Sequence, residues 1–109
     1  MSDILQRLAA TIAARAGADP ATSHTAAMLA RGPAGCAEKF GEEAIEAIVE
    51  AARIDTPSGD REALTREGAD VLYHFLVMLA ASGVTLDDVL AELERREGVS
   101  GIAEKASRG

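Results

Sequence analysis

Apolar residues recur every three or four positions along most of the chain, which is the spacing of one face of an α-helix. The pattern predicts a first helix over residues 3–16, capped by Ser2 and ended by Gly17. A short second helix is expected to start near Thr22 or Ser23, which are both good N-cap residues, and to end before the Gly-Pro pair that follows. The inward face of the first helix is predicted to be Ile4, Leu5, Leu8 and Ile12.

A third helix is predicted over residues 34–53, because Pro33 suits a first helical position. Its apolar stripe is Phe40, Ala44 and Ile48. A loop rich in turn residues follows at 54–60, and a fourth helix is predicted over 61–81. The second half of the fourth helix is apolar nearly all round, so it must be buried on every side. In a chain of 109 residues, we expect a second subunit to cover it.

Thr85 begins a capping box for a fifth helix, predicted over residues 86–97. Its inward face is predicted to be Leu86, Val89, Leu90 and Leu93. Residues 98–109 form a tail, and no segment alternates as a strand would. The sequence therefore predicts an all-α fold of about five helices, a single domain over residues 1–109 that dimerisation completes.

Composition narrows the classes of protein that this chain can represent. Apolar residues make up 48% of the chain and aromatic residues 3%, so the core must be aliphatic. A net charge of −7 argues against nucleic acid or an anionic membrane as the partner. Cys36 is the single cysteine, which excludes a disulfide within the chain. With neither a basic leader nor a long apolar run, a cytoplasmic location is expected.

Two pairs of acids lie three residues apart on predicted helices, Glu43 with Glu46 and Glu67 with Asp70. One such pair alone is usually a solvated helix face. If the two helices pack together, however, four carboxylates converge, and two like charges about 4 Å apart repel by about 4 kcal/mol at an effective dielectric constant of 20. The acids must then spread into water, take up protons or bind cations.

Carboxylate oxygens select hard cations, Mg²⁺ or Mn²⁺. A di-iron bundle would instead need Glu-x-x-His pairs, which neither helix has, because His74 lies seven residues after Glu67. His74 is therefore expected to be a donor to Asp70 or a core residue rather than a metal ligand. Carboxylate-bound Mg²⁺ keeps positions open for water and phosphate oxygens, so the hydrolysis of a phosphoanhydride is the natural chemistry.

The pattern Glu42-Glu43-x-x-Glu46 followed by Glu67-x-x-Asp70 resembles that of the all-α, MazG-like nucleoside triphosphate pyrophosphohydrolases. Nearly the whole chain is similar to one family among them, the phosphoribosyl-ATP pyrophosphohydrolases of histidine biosynthesis. The narrower likeness rests on four stretches, which are Ser23-His24-Thr25-Ala26, Lys39-Phe40-Gly41-Glu42-Glu43-Ala44, Asp70-Val71-Leu72-Tyr73-His74 and the tail from Ser100 to Arg108.

This resemblance implies a MazG-like helical dimer that hydrolyses phosphoribosyl-ATP to phosphoribosyl-AMP and pyrophosphate with Mg²⁺, or with Mn²⁺ in its place. The implied metal ligands are Glu43, Glu46, Glu67 and Asp70. The implied catalytic residues are Glu42, Glu43 and Glu46, with Glu42 as a further ligand or as the base that orients water. The implied substrate-binding residues are Lys39, Tyr73, His74, Lys105 and Arg108, the last two in a tail that orders over the substrate.

The chain departs from the family pattern at two positions. His24 stands where the family often has Tyr, and Gly35 stands where it often has Lys. The 5-phosphoribosyl end of the substrate is therefore expected to be held by Arg31, Arg108 or a residue of a partner subunit.

Two other functions fit the same sequence. One is a general MazG-like pyrophosphohydrolase that removes stray nucleoside triphosphates, with the same fold and metal site. The other is a helical dimerisation module whose acids are a solvated face, which predicts no effect of Mg²⁺ on stability.

Overall fold

The structure is a computed structural model that describes residues 3–97. The described residues form five helices and no strand, which confirms the all-α prediction. In chain order these helices are α1 (Ile4–Arg15), α2 (His24–Leu29), α3 (Gly32–Ala52), α4 (Arg61–Ala81) and α5 (Leu86–Arg96).

The predicted capping residues start two of the five helices, α2 and α5. Ser23 accepts a hydrogen bond from the Ala26 backbone at the start of α2. Thr85 and Asp88 form the expected capping box at α5, and its hydrogen bonds lower the pKa of Asp88. The helix α3 begins two residues earlier than predicted, which puts Pro33 second in the helix. The predicted cap Ser2 lies outside the described residues, and Asp3 makes no side-chain cap to α1.

The core is aliphatic and lies among α1, α2, α3 and α4. Its buried residues are Ile12, Met28, Cys36, Leu76 and Val77. The Cys36 thiol donates a hydrogen bond of 3.1 Å to the Met28 carbonyl oxygen, so it is a core residue. Phe40 packs against Phe75 at 5.8 Å between ring centroids and joins α3 to α4.

Some predicted inward faces are wrong for the single chain. Ile4, Ile48 and Leu93 are each more than half exposed, at 53%, 63% and 56%. Leu72, in the half of α4 that was expected to be buried on every side, is 46% exposed. The reason for Leu93 is geometric, because α5 turns away from α4 by 106° and none of its residues is buried.

Among residues 3–97, no single helix has the length and hydropathy to cross a membrane. Helices α4 and α5 reach those thresholds only when they are taken together, across their 106° bend.

The cap of α4 gives a test of this architecture. Asp60 accepts hydrogen bonds from the Glu62 and Ala63 backbone at 3.0 and 3.2 Å. We expect Asp60→Ala to lower the free energy of unfolding by about 1 kcal/mol, because two amide groups lose their acceptor. The measurement is urea unfolding, with Asp60→Asn as a matched control that keeps a capping oxygen. Equal stability of Asp60→Ala and the parent chain would contradict this assignment.

Candidate metal centre

Three carboxylates meet where α3 and α4 cross the middle of the fold. Glu43 and Glu46 lie one turn apart on α3, and Glu67 comes from α4. Oxygen atoms of these three residues all lie within 4.8 Å of one another. Because Glu46 lies near Glu67 while Glu43 lies near His74, the two helices run antiparallel. Their packing therefore brings together three of the four acids that the sequence predicts to converge. We call this group the acid cluster.

The acid cluster is only partly open to water. Glu43 is 9% exposed, Glu67 is half-buried and Glu46 is exposed. Within residues 3–97, the buried Oε2 atom of Glu67 has no hydrogen-bond partner. A buried carboxylate oxygen without a donor is costly, so this atom calls for a cation or another donor.

The electrostatics of the cluster point the same way. The pKa of Glu46 is raised, and the largest cause is the negative charge of Glu43. A hydrogen bond with Glu67 and the charge of Glu67 raise it further. The three residues of the cluster offer carboxylate oxygens as ligand atoms. An all-oxygen set of this kind fits Mg²⁺ or Mn²⁺ and does not offer the nitrogen or sulfur donors that zinc prefers.

Lys39 lies on the acid cluster. Its Nζ atom is 3.2 Å from Glu43 Oε1 and 3.7 Å from Glu42 Oε2. The hydrogen bond with Glu43, followed by the charge of Glu43, raises the pKa of Lys39, so the ammonium form dominates. The predicted substrate-binding lysine is thus the counter-ion of the most buried acid of the cluster in this structure.

His74 contacts a different acid from the one expected. Its ring is 6% exposed, and its Nε2 atom lies 4.0 Å from Glu43 Oε1. Of the two expectations for His74, the buried position fits the core residue, and the nearest acid is Glu43 on the facing helix rather than Asp70. Burial lowers the pKa of His74, an effect that Glu43 only partly opposes, so the imidazole is neutral near pH 7.

Two predicted carboxylates lie beside the cluster rather than in it. Asp70 is exposed and does not share the 4.8 Å grouping of Glu43, Glu46 and Glu67. Glu42 is also exposed and contacts Lys39. Among the described residues, nothing beyond the helix's own backbone and the adjacent residues lies within 4 Å of the position that a Cβ atom would take at Gly41.

Tyr73 is held by a contact that sequence reasoning missed. Its hydroxyl group shares a 2.5 Å hydrogen bond with Thr25 Oγ1, which joins α2 to α4. The His24 ring lies nearly parallel to the Tyr73 ring, at 21° and 6.4 Å between centroids. The Ser-His-Thr-Ala stretch was the available signal, but its residues have no spacing that points to Tyr73. Lys105 and Arg108 lie outside the described residues.

Comparison with known proteins identifies the family of the chain. The family model described as phosphoribosyl-ATP pyrophosphohydrolase matches residues 5–97. A protein of Cereibacter sphaeroides named phosphoribosyl-ATP pyrophosphatase is 69% identical over 106 residues, which cover 97% of this chain and 98% of that protein. A protein of Ruegeria pomeroyi with the same name is 70% identical over 105 residues, which cover 96% of this chain and 95% of its own.

A third relative, from Paracoccus denitrificans and also named phosphoribosyl-ATP pyrophosphatase, is 67% identical over 104 residues, covering 95% of this chain and 92% of that protein. The family match includes Lys39, Tyr73, His74 and every member of the acid cluster. The chain therefore belongs to the phosphoribosyl-ATP pyrophosphohydrolase family.

Proposed function

We propose that this chain hydrolyses phosphoribosyl-ATP to phosphoribosyl-AMP and pyrophosphate in histidine biosynthesis, with Mg²⁺ as cofactor and Mn²⁺ as a possible substitute. The acid cluster is the observation that carries the proposal, because three converging carboxylates include one that is buried and one with an unpartnered buried oxygen. The names of the relatives, which share about two thirds of their residues with this chain, support the choice of substrate.

Glu43, Glu46 and Glu67 would hold the cation, with Asp70 as a further ligand beside them. When bound, the cation supplies charge that offsets the developing negative charge on phosphate oxygens and acidifies water. Glu42 lies at the exposed edge of the cluster and would orient the attacking water or add a ligand. Lys39, on the same helix, would bind a substrate phosphate as a point charge.

Substrate recognition would extend from the cluster toward α2. Tyr73 is fixed by Thr25 and flanked by the His24 ring, so it offers a rigid aromatic surface next to His74. We propose Tyr73 as the substrate contact. His74, being buried, would act on Glu43 rather than touch the substrate as the resemblance implied.

Arg31 is our candidate for the second phosphate-bearing end. Its side chain lies along Gly35, where an added Cβ atom would come within 2.6 Å of Arg31 Cβ. The absence of a side chain at Gly35 therefore leaves room for Arg31 in this conformation. The guanidinium group suits a bidentate contact with phosphate.

We also propose that the working unit is a homodimer. Ile45, Ile48 and Leu72 are large apolar residues that are 61%, 63% and 46% exposed. They belong to α3 and α4, the helices that carry the acid cluster. A second copy would bury this apolar surface, which water solvates unfavourably.

The cluster can be tested with Glu46→Gln. We expect pyrophosphate release to fall by at least about 100-fold. Loss of a residue that only orients a metal ligand costs about 10- to 100-fold, and this variant loses a proposed ligand itself. We also expect Mg²⁺ no longer to raise the melting temperature of the variant. The matched control is Glu50→Gln, which removes an acid one turn further along α3 that pairs with Arg53.

The raised pKa of Glu46 adds a pH test to the same variant. A carboxyl group whose pKa is higher in the folded chain than its ordinary value of 4.5 weakens the fold as the pH rises through that pKa. Metal-free Glu46→Gln should therefore be more stable than the parent chain at pH 7, and the difference should vanish below pH 4.5.

Full activity of Glu46→Gln, with its stabilisation by Mg²⁺ intact, would remove the metal-site assignment.

Substrate choice is tested by a pyrophosphate-release assay with phosphoribosyl-ATP and with ATP, each with Mg²⁺ and with chelator. We expect a higher kcat/KM for phosphoribosyl-ATP and no release with chelator. A preference for ATP would favour the general nucleotide pyrophosphohydrolase. If Mg²⁺ affected neither release nor stability, the dimerisation module would be favoured.

The tail, predicted to order over the substrate, is tested by deleting residues 101–109. We expect the KM for phosphoribosyl-ATP to rise, because Lys105 and Arg108 are lost, while the melting temperature is kept. A Lys105→Ala, Arg108→Ala double variant is the matched control for chain length. An unchanged KM in both would show that the tail does not bind the substrate.

A further inference from the structure

One carboxylate oxygen of the acid cluster is paired with Lys39, whose positive charge the proposed reaction needs at a substrate phosphate. Glu43 Oε1 lies 3.2 Å from Lys39 Nζ and 4.0 Å from His74 Nε2. The Glu43 side chain is 11% exposed, so water has little access to screen it. The ammonium group of Lys39 is thus the positive charge that neutralises this buried acid.

A divalent cation bound by Glu43 would compete with Lys39 for the negative charge of this carboxylate. A cation shared by Glu43, Glu46 and Glu67 would sit within bonding distance of the Glu43 carboxylate. An ammonium group at its present distance from the same carboxylate would then face a doubly charged ion of its own sign. Repulsion between them is strong in a site with little water.

We propose that binding of a divalent cation displaces the Lys39 ammonium group from Glu43, and that the released group then binds a substrate phosphate. This inference rests on the proposed function, since it takes the acid cluster to be the metal site. It adds an order to the reaction, because the lysine is engaged internally until the cation has bound.

The geometry of α3 allows this exchange without any movement of the backbone. Lys39 is one turn before Glu43, and its side chain is 31% exposed, so its long stem can rotate toward solvent. Glu42, whose side chain is 58% exposed, already lies 3.7 Å from the same Nζ atom. It would keep the released ammonium group near the mouth of the site.

Opposite effects of one variant on metal and substrate are the signature of this exchange. We expect Lys39→Met to bind Mn²⁺ about 2- to 5-fold more tightly than the parent chain, because a partly exposed ion pair no longer competes. At saturating Mn²⁺ its KM for phosphoribosyl-ATP should rise about 10-fold, because a charge-assisted hydrogen bond is lost.

Two variants control for charge alone. Lys39→Arg keeps a cation at this position and should bind Mn²⁺ within about twofold of the parent chain, since the competing ion pair remains. Arg53→Met removes one positive charge at the C-cap of α3, about 10 Å along the helix axis from Glu46, the nearest proposed ligand on that helix. It should leave Mn²⁺ affinity unchanged, because exposed charges at that distance are screened. If Lys39→Met bound Mn²⁺ no more tightly than the parent chain, or if Arg53→Met matched its gain, the exchange would be wrong.

Release of the lysine can also be measured directly, because the chain has only two lysines, Lys39 and Lys105. Trace labelling with an amine-reactive acylating reagent, read by mass spectrometry, gives the ratio of Lys39 to Lys105 labelling. We expect saturating Mn²⁺ to raise this ratio at least about 2-fold, in line with the loss of the ion pair. In Glu43→Gln the ratio should already be high without the metal.

The outcomes separate this inference from the proposed function on which it rests. Mn²⁺ binding is measured in parallel by calorimetry. If the parent chain binds Mn²⁺ and the labelling ratio stays constant, the exchange is wrong and the metal site stands. If neither Mn²⁺ nor Mg²⁺ binds to the parent chain, the metal site and the exchange both fall.

Discussion

Repulsion among Glu43, Glu46 and Glu67 is the constraint on which the rest of the structure depends. The contact between α3 and α4 is the most extensive between any two helices of the described chain, and it forces these carboxylates within 4.8 Å of one another. Apolar packing around Leu76 and Val77 holds α4 in place against this repulsion. The fold therefore holds three carboxylates together at a place where a divalent cation would relieve their repulsion.

The three carboxylates of the cluster differ in how their surroundings offset this repulsion. Glu43 is buried between Lys39 and the neutral ring of His74, so its charge is balanced locally. Glu46 is exposed but carries a raised pKa, and the buried Oε2 atom of Glu67 has no hydrogen-bond partner among residues 3–97. A divalent cation would satisfy all three groups at once and leave Lys39 free for phosphate. In the proposed mechanism, stability and catalysis would depend on the same few atoms.

Much of this could be predicted from the sequence. Helical periodicity predicted all five helices, and Ser23 and Thr85 predicted where two of them begin, because caps act locally. The spacing of Glu43 and Glu46 predicted that they share a face of α3, because residues at i and i+3 are neighbours on a helix whatever the tertiary structure. These are properties of single helices, which a sequence pattern determines well.

The parts that could not be predicted depend on how helices are placed relative to one another. The approach of His74 to Glu43 follows from the register of α3 on α4, which periodicity does not specify. Thr25 meets Tyr73 across 48 positions of sequence, and the exposure of Leu93 depends on the angle between α4 and α5. Asp70 shares a helix face with Glu67 but lies outside the cluster for the same reason.

The most direct measurement of the central claim is an anomalous difference map from a crystal soaked in Mn²⁺. The account predicts a single strong peak, or a close pair of peaks, at bonding distance from Glu43, Glu46 and Glu67, with Lys39 Nζ displaced from Glu43. A map with no peak among these three carboxylates, from a crystal that holds Mn²⁺ elsewhere on the molecule, would contradict it.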